Sequence, residues 1–246
     1  MFESQLHGSS SFITLTYDEA SCPFPPSLDY SHFQKFMKRL RKSLGPLRFF
    51  VVGEYGPENG RPHFHACIFG TDFSSDRYVF AWSAAGNPYY RSPSLEKLWP
   101  FGFSSVCDLT FESAAYVARY SLKKVTGDLA QYYYRFVDAD SGEVSMLKPE
   151  FCRMSLKPGI GGQWFDKYYK DVYSYDYVVV NGHKCRPPRY FDKLFRRLDR
   201  INYDYLKSDR SSSVRDLHDL SDARLLVRER VHLAALQRLS PRGDLL

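Results

Sequence analysis

Apolar and polar residues alternate along two short segments on either side of position 60. Residues 49–52 are aromatic and β-branched, as β-strands prefer, and residues 63–69 return with the same character. The residues between them favour turns: Gly56, Pro57, Asn59, Gly60 and Pro62. Because side chains alternate across a strand, the pattern predicts a hairpin in which His63 and His65 share one face and Phe64 lies on the other.

Residues 30–44 show a different repeat, in which apolar side chains recur every three or four positions. This repeat predicts an amphipathic helix with a stripe made of Phe33, Phe36, Met37, Leu40 and Leu44. Gly45 and Pro46 predict its end. The other face is basic, and its pattern is compatible with plain solvation or with contact to DNA: Lys35, Lys38, Arg39, Arg41 and Lys42.

The remaining periodicities predict an α+β fold, with a central antiparallel sheet of about five strands flanked by helices. Further strands are predicted at 12–17, 101–109, 151–156 and 176–180, and further helices at 94–98, 110–126, 163–172, 190–207 and 223–239. Residues 132–150 predict a hairpin or an irregular segment, and most of 72–100 has no clear pattern. We expect one domain over residues 1–180 and a basic helical C-terminal extension over 181–246.

Composition narrows the class of protein. The 246 residues carry a formal charge of +6, and 17% of them are aromatic, which permits a polyanionic partner and stacking of unpaired bases. Five scattered cysteines without a C-x-x-C pair indicate neither a disulfide framework nor a zinc module. No apolar run is long enough to span a membrane, and residues 1–10 do not resemble a signal peptide. We therefore expect a soluble cytoplasmic protein.

The predicted hairpin also brings candidate metal ligands together. Glu54 lies on the outgoing strand, where it can approach His63 and His65 on the returning one. Two imidazoles and one carboxylate form a three-ligand site for a divalent metal, with positions left open for substrate. The alternative is that the two histidines are simply solvated on an exposed strand.

Residues 110–126 carry a second chemical pattern. Thr110, or alternatively Ser113, can cap the helix, and Gly127 can end it. Tyr116, Tyr120 and Lys123 then share one face, while Ala114, Ala118 and Leu122 are expected to pack on the sheet. A phenol with a pKa of roughly 10 needs a nearby cation to become a nucleophile. The alternative is that both tyrosines are packing residues with hydroxyls at the rim.

Taken together, these motifs resemble those of a known superfamily. His63-Phe64-His65 resembles the His-hydrophobic-His motif of HUH endonucleases, and residues 116–123 resemble the Y-x-x-x-Y-x-x-K motif of rolling-circle replication initiators. FITLTY at 12–17 is similar to their first motif, and the motifs follow the order found in these initiators. With MSLKPGIGGQWF at 154–165, the chain is most similar to the gokushovirus-type initiators of Microviridae, single-stranded DNA phages.

The resemblance implies a fold, an activity and roles for particular residues. It implies an HUH domain over residues 1–180 in which His63 and His65, with Glu54 or the nearby Glu58, hold Mg²⁺ or Mn²⁺. Tyr116 and Tyr120 would be the nucleophiles, and Lys123 or its neighbour Lys124 would contact phosphate. Origin DNA would be nicked through a 5′-phosphotyrosine intermediate in the host bacterial cytoplasm, with host helicase and polymerase as partners; the sequence itself has no P-loop motif for unwinding.

Three other functions stay open on the sequence. One is an HUH transposase or relaxase, although the motif order disfavours it. Another is a metal-dependent hydrolase that uses water, and the third is a non-catalytic module that binds single-stranded DNA. Replacing Tyr116 and Tyr120 by Phe distinguishes these, because only a tyrosine nucleophile yields a covalent adduct that the substitutions abolish.

Overall fold

A computed structural model describes residues 1–56, 59–83, 86–120, 124–212 and 220–238 of the chain. The chain divides into two compact units, Met1–Gly161 and Gly162–Leu246. The boundary expected after residue 180 stays a prediction.

Seven strands of the first unit form one antiparallel sheet in the order β4-β5-β6-β1-β3-β2-β9. The strands in the described residues are β1 Ser10–Tyr17, β2 Arg48–Tyr55, β3 Pro62–Phe69, β4 Tyr78–Trp82, β5 Pro88–Arg91, β6 Gly102–Asp108, β7 Arg135–Val137, β8 Val144–Met146, β9 Phe151–Met154, β10 Val178–Val180 and β11 His183–Cys185. The α-helices are α1 Tyr30–Leu44, α2 Pro93–Leu98, α3 Phe111–Tyr120, α4 Ala130–Tyr133, α5 Gly162–Tyr175, α6 Arg189–Leu198, α7 Arg200–Ser212 and α8 Asp222–Arg238.

This architecture confirms the α+β class and is consistent with an HUH-endonuclease-like fold, but the sheet is larger than predicted. Strands β4 and β5 come from the stretch that showed no clear pattern. Tyr78 and Val79 are both exposed although they are neighbours, so the strand lacks apolar alternation. A register shift between Val79 and Ala81 breaks the period further.

The main core lies between the sheet and α1. Helix α1 has the predicted bounds, and the Asp29 carboxylate caps its start by accepting the Ser31 N–H at 2.9 Å. Its apolar stripe packs on the sheet face that carries Phe64, which is fully buried. Leu44 is the exception, since it lies in the last turn and is 50% exposed. The buried side chains include Ile13, Leu15, Tyr17, Phe33, Phe36, Met37, Leu40, Val51, Phe64 and Trp99.

The basic residues of α1 serve partly to hold the fold. Arg39 donates from Nε to the Leu98 carbonyl at 3.0 Å, and Arg41 donates from Nε and Nη2 to the Leu47 carbonyl at 3.1 and 2.9 Å. The helix also lies on the face opposite His63 and His65, because it packs on the Phe64 side. Two of the predicted DNA-contacting arginines are therefore committed to backbone carbonyls.

Helix α3 covers part of the other sheet face. Val117 is fully buried in a second cluster with Phe12, Val52, Cys67 and Phe69, and Tyr116 packs against the same cluster. The prediction that Ala114, Ala118 and Leu122 pack on the sheet is wrong for Ala118, which is exposed, and Leu122 lies outside the described residues. The larger apolar side chain, Val117, decides which way the helix turns, because its burial removes more surface from water than that of alanine.

The second unit is helical with one short hairpin. Helices α5 and α6 pack through aromatic pairs, with Trp164 stacked on Phe191 at 5.5 Å and Tyr173 on Phe195 at 3.9 Å between ring centroids. The single helix predicted over 190–207 is interrupted at Asp199, whose carboxylate accepts the Asn202 N–H at 3.0 Å and so caps a new helix, α7. Within the described part of the chain, no helix is both long and apolar enough to cross a membrane.

Candidate metal centre and tyrosine helix

The hairpin formed by β2 and β3 places three polar side chains in register. Glu54 pairs with His63, and on the other side of β3, Thr14 of β1 pairs with His65. Phe64 faces the α1 core, so His63 and His65 point to the opposite face, as predicted from alternation. Glu58, the other predicted carboxylate, lies outside the described residues.

The three side chains converge on one point. Glu54 Oε1 lies 2.9 Å from His63 Nε2 and 3.0 Å from His65 Nε2. The Glu54 side chain is 1% exposed, against 12% for His63 and 8% for His65. Burial by itself would raise the pKa of Glu54, but the hydrogen bonds from the two histidines lower it to about 2. The carboxylate is therefore ionised and faces two nitrogen atoms that can act as ligands.

The opposite nitrogen of each imidazole also has a partner. His63 Nδ1 donates to the Arg61 carbonyl at 3.0 Å, and His65 Nδ1 lies 3.0 Å from Thr14 Oγ1. A carbonyl can only accept, so His63 carries its proton on Nδ1, and a neutral His63 presents the lone pair of Nε2 towards Glu54. Partners of this kind fix ring orientation in metal sites. Thr14 was not predicted, although it lies in the FITLTY strand.

This donor set suits a divalent metal. One ligand atom from each of Glu54, His63 and His65 lies within 4.8 Å of the others, and within the described ranges no other set of at least three His, Cys, Asp or Glu side chains comes together in this way. Metal ligands must be deprotonated, and here the Nε2 protons that contact Glu54 occupy the position that a cation would take. Two imidazoles and one carboxylate leave further coordination positions for a substrate oxygen.

Tyr116 lies directly beside this group. Its ring meets the His65 ring edge-on at 5.4 Å between centroids and 81°, while Phe12 stacks on His65 at 5.5 Å. The start of α3 is fixed by a reciprocal pair: the Ser113 N–H donates to Thr110 Oγ1 at 3.2 Å, and the Thr110 N–H donates to Ser113 Oγ at 2.8 Å. Thr110 is thus the N-cap, and the fixed start aims the half-buried Tyr116 at the metal group.

The other predicted residues of this helix are only partly placed. Tyr120 is the last residue of α3, one helical turn beyond Tyr116. Its side chain and the whole of Lys123 lie outside the described residues. Lys124 is described and exposed.

The segment after α3 is held by a buried pair that the sequence did not reveal. Tyr134, 2% exposed, donates its hydroxyl hydrogen to the Glu150 carboxylate and accepts the Val125 N–H at 3.0 Å. Burial, followed by the Glu150 contact, raises the pKa of Tyr134 to about 12, so it remains a donor. Glu150 immediately precedes β9, whose Phe151 pairs with Gly53 beside Glu54. The chain that follows the tyrosines is thereby tied to the sheet edge next to the metal group.

Comparison with known proteins places the fold and the site in context. The replication-associated protein ORF2 family matches residues 10–125. The chain is 32% identical over 207 residues to replication-associated protein VP4 of Bdellovibrio phage phiMH2K, covering 79% of this chain and 60% of that protein. It is 32% identical over 207 residues to replication-associated protein ORF4 of Chlamydia phage 1, covering 80% and 48%.

A further relative gives the same result. Replication-associated protein ORF2 of Spiroplasma virus 4 is 30% identical over 215 residues, which cover 81% of this chain and 62% of that protein. The chain thus spans between about half and three-fifths of the length of these relatives. No solved structure matches the chain. Through residues 10–125, which contain the histidine strand and the tyrosine helix, the chain belongs to the replication-associated protein ORF2 family.

Proposed function

We propose that this protein is a replication-initiation endonuclease that nicks single-stranded origin DNA through a tyrosine nucleophile, with Mg²⁺ or Mn²⁺ bound by Glu54, His63 and His65. The observation that carries the proposal is the position of Tyr116, whose ring contacts His65 on the sheet face where the three ligand atoms lie within 4.8 Å of one another. The relatives, replication-associated proteins of three phages, support a role in replication.

The chain's own residues orient the reacting groups. A bound divalent ion would polarise a phosphoryl oxygen and neutralise charge that develops during the reaction. Thr14 and the Arg61 carbonyl hold the two imidazoles, and the buried Glu54 keeps a negative charge facing them. Helix α3 presents Tyr116 from above the same face, and Tyr120 follows one turn later.

The proposed chemistry is an exchange of one phosphodiester for another. The tyrosine oxygen attacks the scissile phosphorus, the bond to the 3′ oxygen breaks, and that oxygen leaves as a 3′-hydroxyl after taking up a proton. The 5′ end of the cut strand remains joined to the tyrosine. Because one ester replaces another, the second tyrosine can repeat the step after a round of synthesis and release a circle. Lys123, or Lys124, would neutralise phosphate during these steps.

The partners follow from the products. A free 3′-hydroxyl is the substrate of a polymerase, so we propose that the host polymerase extends it and that a host helicase supplies unwinding. These steps would take place in the cytoplasm of the infected bacterium.

A covalent-adduct assay tests the proposal. Full-length protein is incubated with single-stranded phage-origin DNA, labelled on the 3′ side of the nick, with Mn²⁺ or with EDTA. We expect a labelled band that survives SDS, that requires Mn²⁺ and that is lost when Tyr116 and Tyr120 are both Phe. Glu54→Gln, which keeps the side-chain shape but removes the charge, should also abolish the band.

Tyr133→Phe is the matched control, because Tyr133 is 58% exposed and lies on α4 rather than α3. Its adduct yield should equal that of the native chain. Cleavage without an adduct would instead identify a hydrolase that uses water. Binding with neither cleavage nor adduct on several origins would identify a DNA-binding module.

A further inference from the structure

Part of the sheet face that carries the metal group is left open by α3. The helix covers the end of the face where Phe12, Val52, Cys67 and Phe69 are buried. The other end carries a row of paired residues that runs from Glu54 through His63 and Thr16 to Phe103 of β6. Phe103 is 52% exposed, and it lies two strands, or roughly 10 Å, from His63.

The open face continues from Phe103 onto β5. Tyr90 pairs with Val106, which belongs to the core on the α1 side. Alternation therefore places Tyr89 and Arg91 on the face of the metal group. Arg91 and Phe103 also line the same surface cleft, beside the open end of β6.

The edge strand β4 extends this surface. Tyr78 pairs with Arg91 and is 52% exposed. The Phe80 ring lies 6.5 Å from the Tyr89 ring and 5.2 Å below the Arg91 guanidinium. These side chains form a continuous surface, here called the aromatic shelf: Tyr78, Phe80, Tyr89, Arg91 and Phe103.

The charge on the shelf is available to an anion. The Arg91 guanidinium lies 3.9 Å from Glu96, and both side chains are 41% exposed, so this ion pair is weak and solvated. Stacking over Phe80 holds the guanidinium on the metal-bearing face. A phosphate that approaches along this face can therefore replace Glu96 as the partner of Arg91.

We propose that the aromatic shelf binds the single-stranded DNA that flanks the scissile phosphate, with bases stacked on Phe103 and on the β4–β5 rings and with Arg91 against the backbone. This inference rests on the proposed function and adds the path of the substrate. Exposed rings beside an arginine are the elements that bind unpaired bases without regard to sequence. The shelf is continuous with the row through His63 and Glu54, so a strand lying on it leads directly to the metal group.

Equilibrium binding to oligothymidylate tests the proposal. Fluorescence anisotropy is measured on the full-length protein in EDTA, so that no strand is cut. Phe103→Ala should weaken binding by roughly tenfold, the loss typical of removing one stacked base contact. Phe103→Tyr, which retains the ring, should bind as the native chain does. Val79→Ala is the matched control, because Val79 lies on the same hairpin but pairs with Tyr90 on the opposite face.

A chain of abasic nucleotides of equal length identifies the contact that is lost. The native protein should prefer oligothymidylate to the abasic chain, and Phe103→Ala should reduce that preference by the same factor by which it weakens binding. Arg91→Gln should flatten the salt dependence of binding to both probes.

Two results would overturn the proposal: native-like binding by Phe103→Ala, or equal binding of both probes by the native chain. A variant that retains the circular dichroism of the native chain but loses affinity also with Phe103→Tyr would contradict stacking. The proposed nuclease can fail separately, because absence of a covalent adduct leaves these binding measurements valid. In that case the shelf would stand as the surface of a DNA-binding module.

Discussion

Replacing Thr14 by Val tests whether the orientation of His65 determines metal affinity. The substitution removes the hydroxyl that lies 3.0 Å from His65 Nδ1 and keeps the β-branched shape that suits the strand. When Nε2 is the ligand, Nδ1 carries the proton and donates it to this hydroxyl. Losing the bond leaves the ring free to rotate and the N–H without its acceptor.

The expected magnitude follows from the contacts that remain. One hydrogen bond contributes about 0.5–1.5 kcal/mol, and loss of a partner behind a metal ligand typically weakens binding by about 10–100-fold. Phe12 stacked on one side of His65 and Tyr116 edge-on at another still hold the ring. We therefore expect the low end of that range, about a tenfold weaker Kd for Mn²⁺.

Isothermal titration of Mn²⁺ into the native and variant chains measures this change. Thr16→Val is the control, because Thr16 lies on the same face and pairs with His63, whose Nδ1 donates to the Arg61 carbonyl instead. The reasoning is wrong if Thr14→Val binds Mn²⁺ as tightly as the native chain, or if Thr16→Val loses as much affinity.

Two further substitutions test the supports of the site. Tyr134→Phe removes the buried donor to Glu150 and the acceptor of the Val125 N–H; it should lower the free energy of unfolding by about 1–3 kcal/mol in urea and, by mass spectrometry, shift adducts from Tyr120 towards Tyr116. An unchanged adduct ratio would show that this anchor does not position the tyrosines. Gly53→Ala places a Cβ 2.7 Å from the Phe151 ring and should cost about 1–3 kcal/mol of stability, whereas Gly8→Ala, with nothing within 4 Å, should change stability by less than about 0.5 kcal/mol.

The missed strands β4 and β5 show why the sheet was larger than the sequence predicted. Their apolar residues do not alternate with polar ones, because Tyr78 and Val79 are exposed on opposite faces at the sheet edge. Such strands are stabilised by pairing with a neighbour rather than by a buried face. The aromatic shelf was invisible to sequence reasoning for the same reason.

Features that depend on neighbours along the chain could be derived from the sequence alone. Alternation placed His63 and His65 opposite Phe64, and a short turn was enough to bring Glu54 across from His63. The apolar repeat gave α1 its bounds, and cap chemistry identified Thr110 as the start of α3. In each case the period of a strand or a helix, or a contact across a few residues, fixes the arrangement.

Contacts between distant parts of the chain were decided only by the tertiary structure. Thr14 lies 51 positions before its partner His65, and Tyr116 meets His65 because Val117, rather than the alanines, is buried on the sheet. Tyr134 anchors the segment after α3 through Glu150, with which no periodic pattern connects it. Local periods specify which face a side chain occupies, but strand order and helix packing specify what that face meets, because they arise from burial summed over the whole chain.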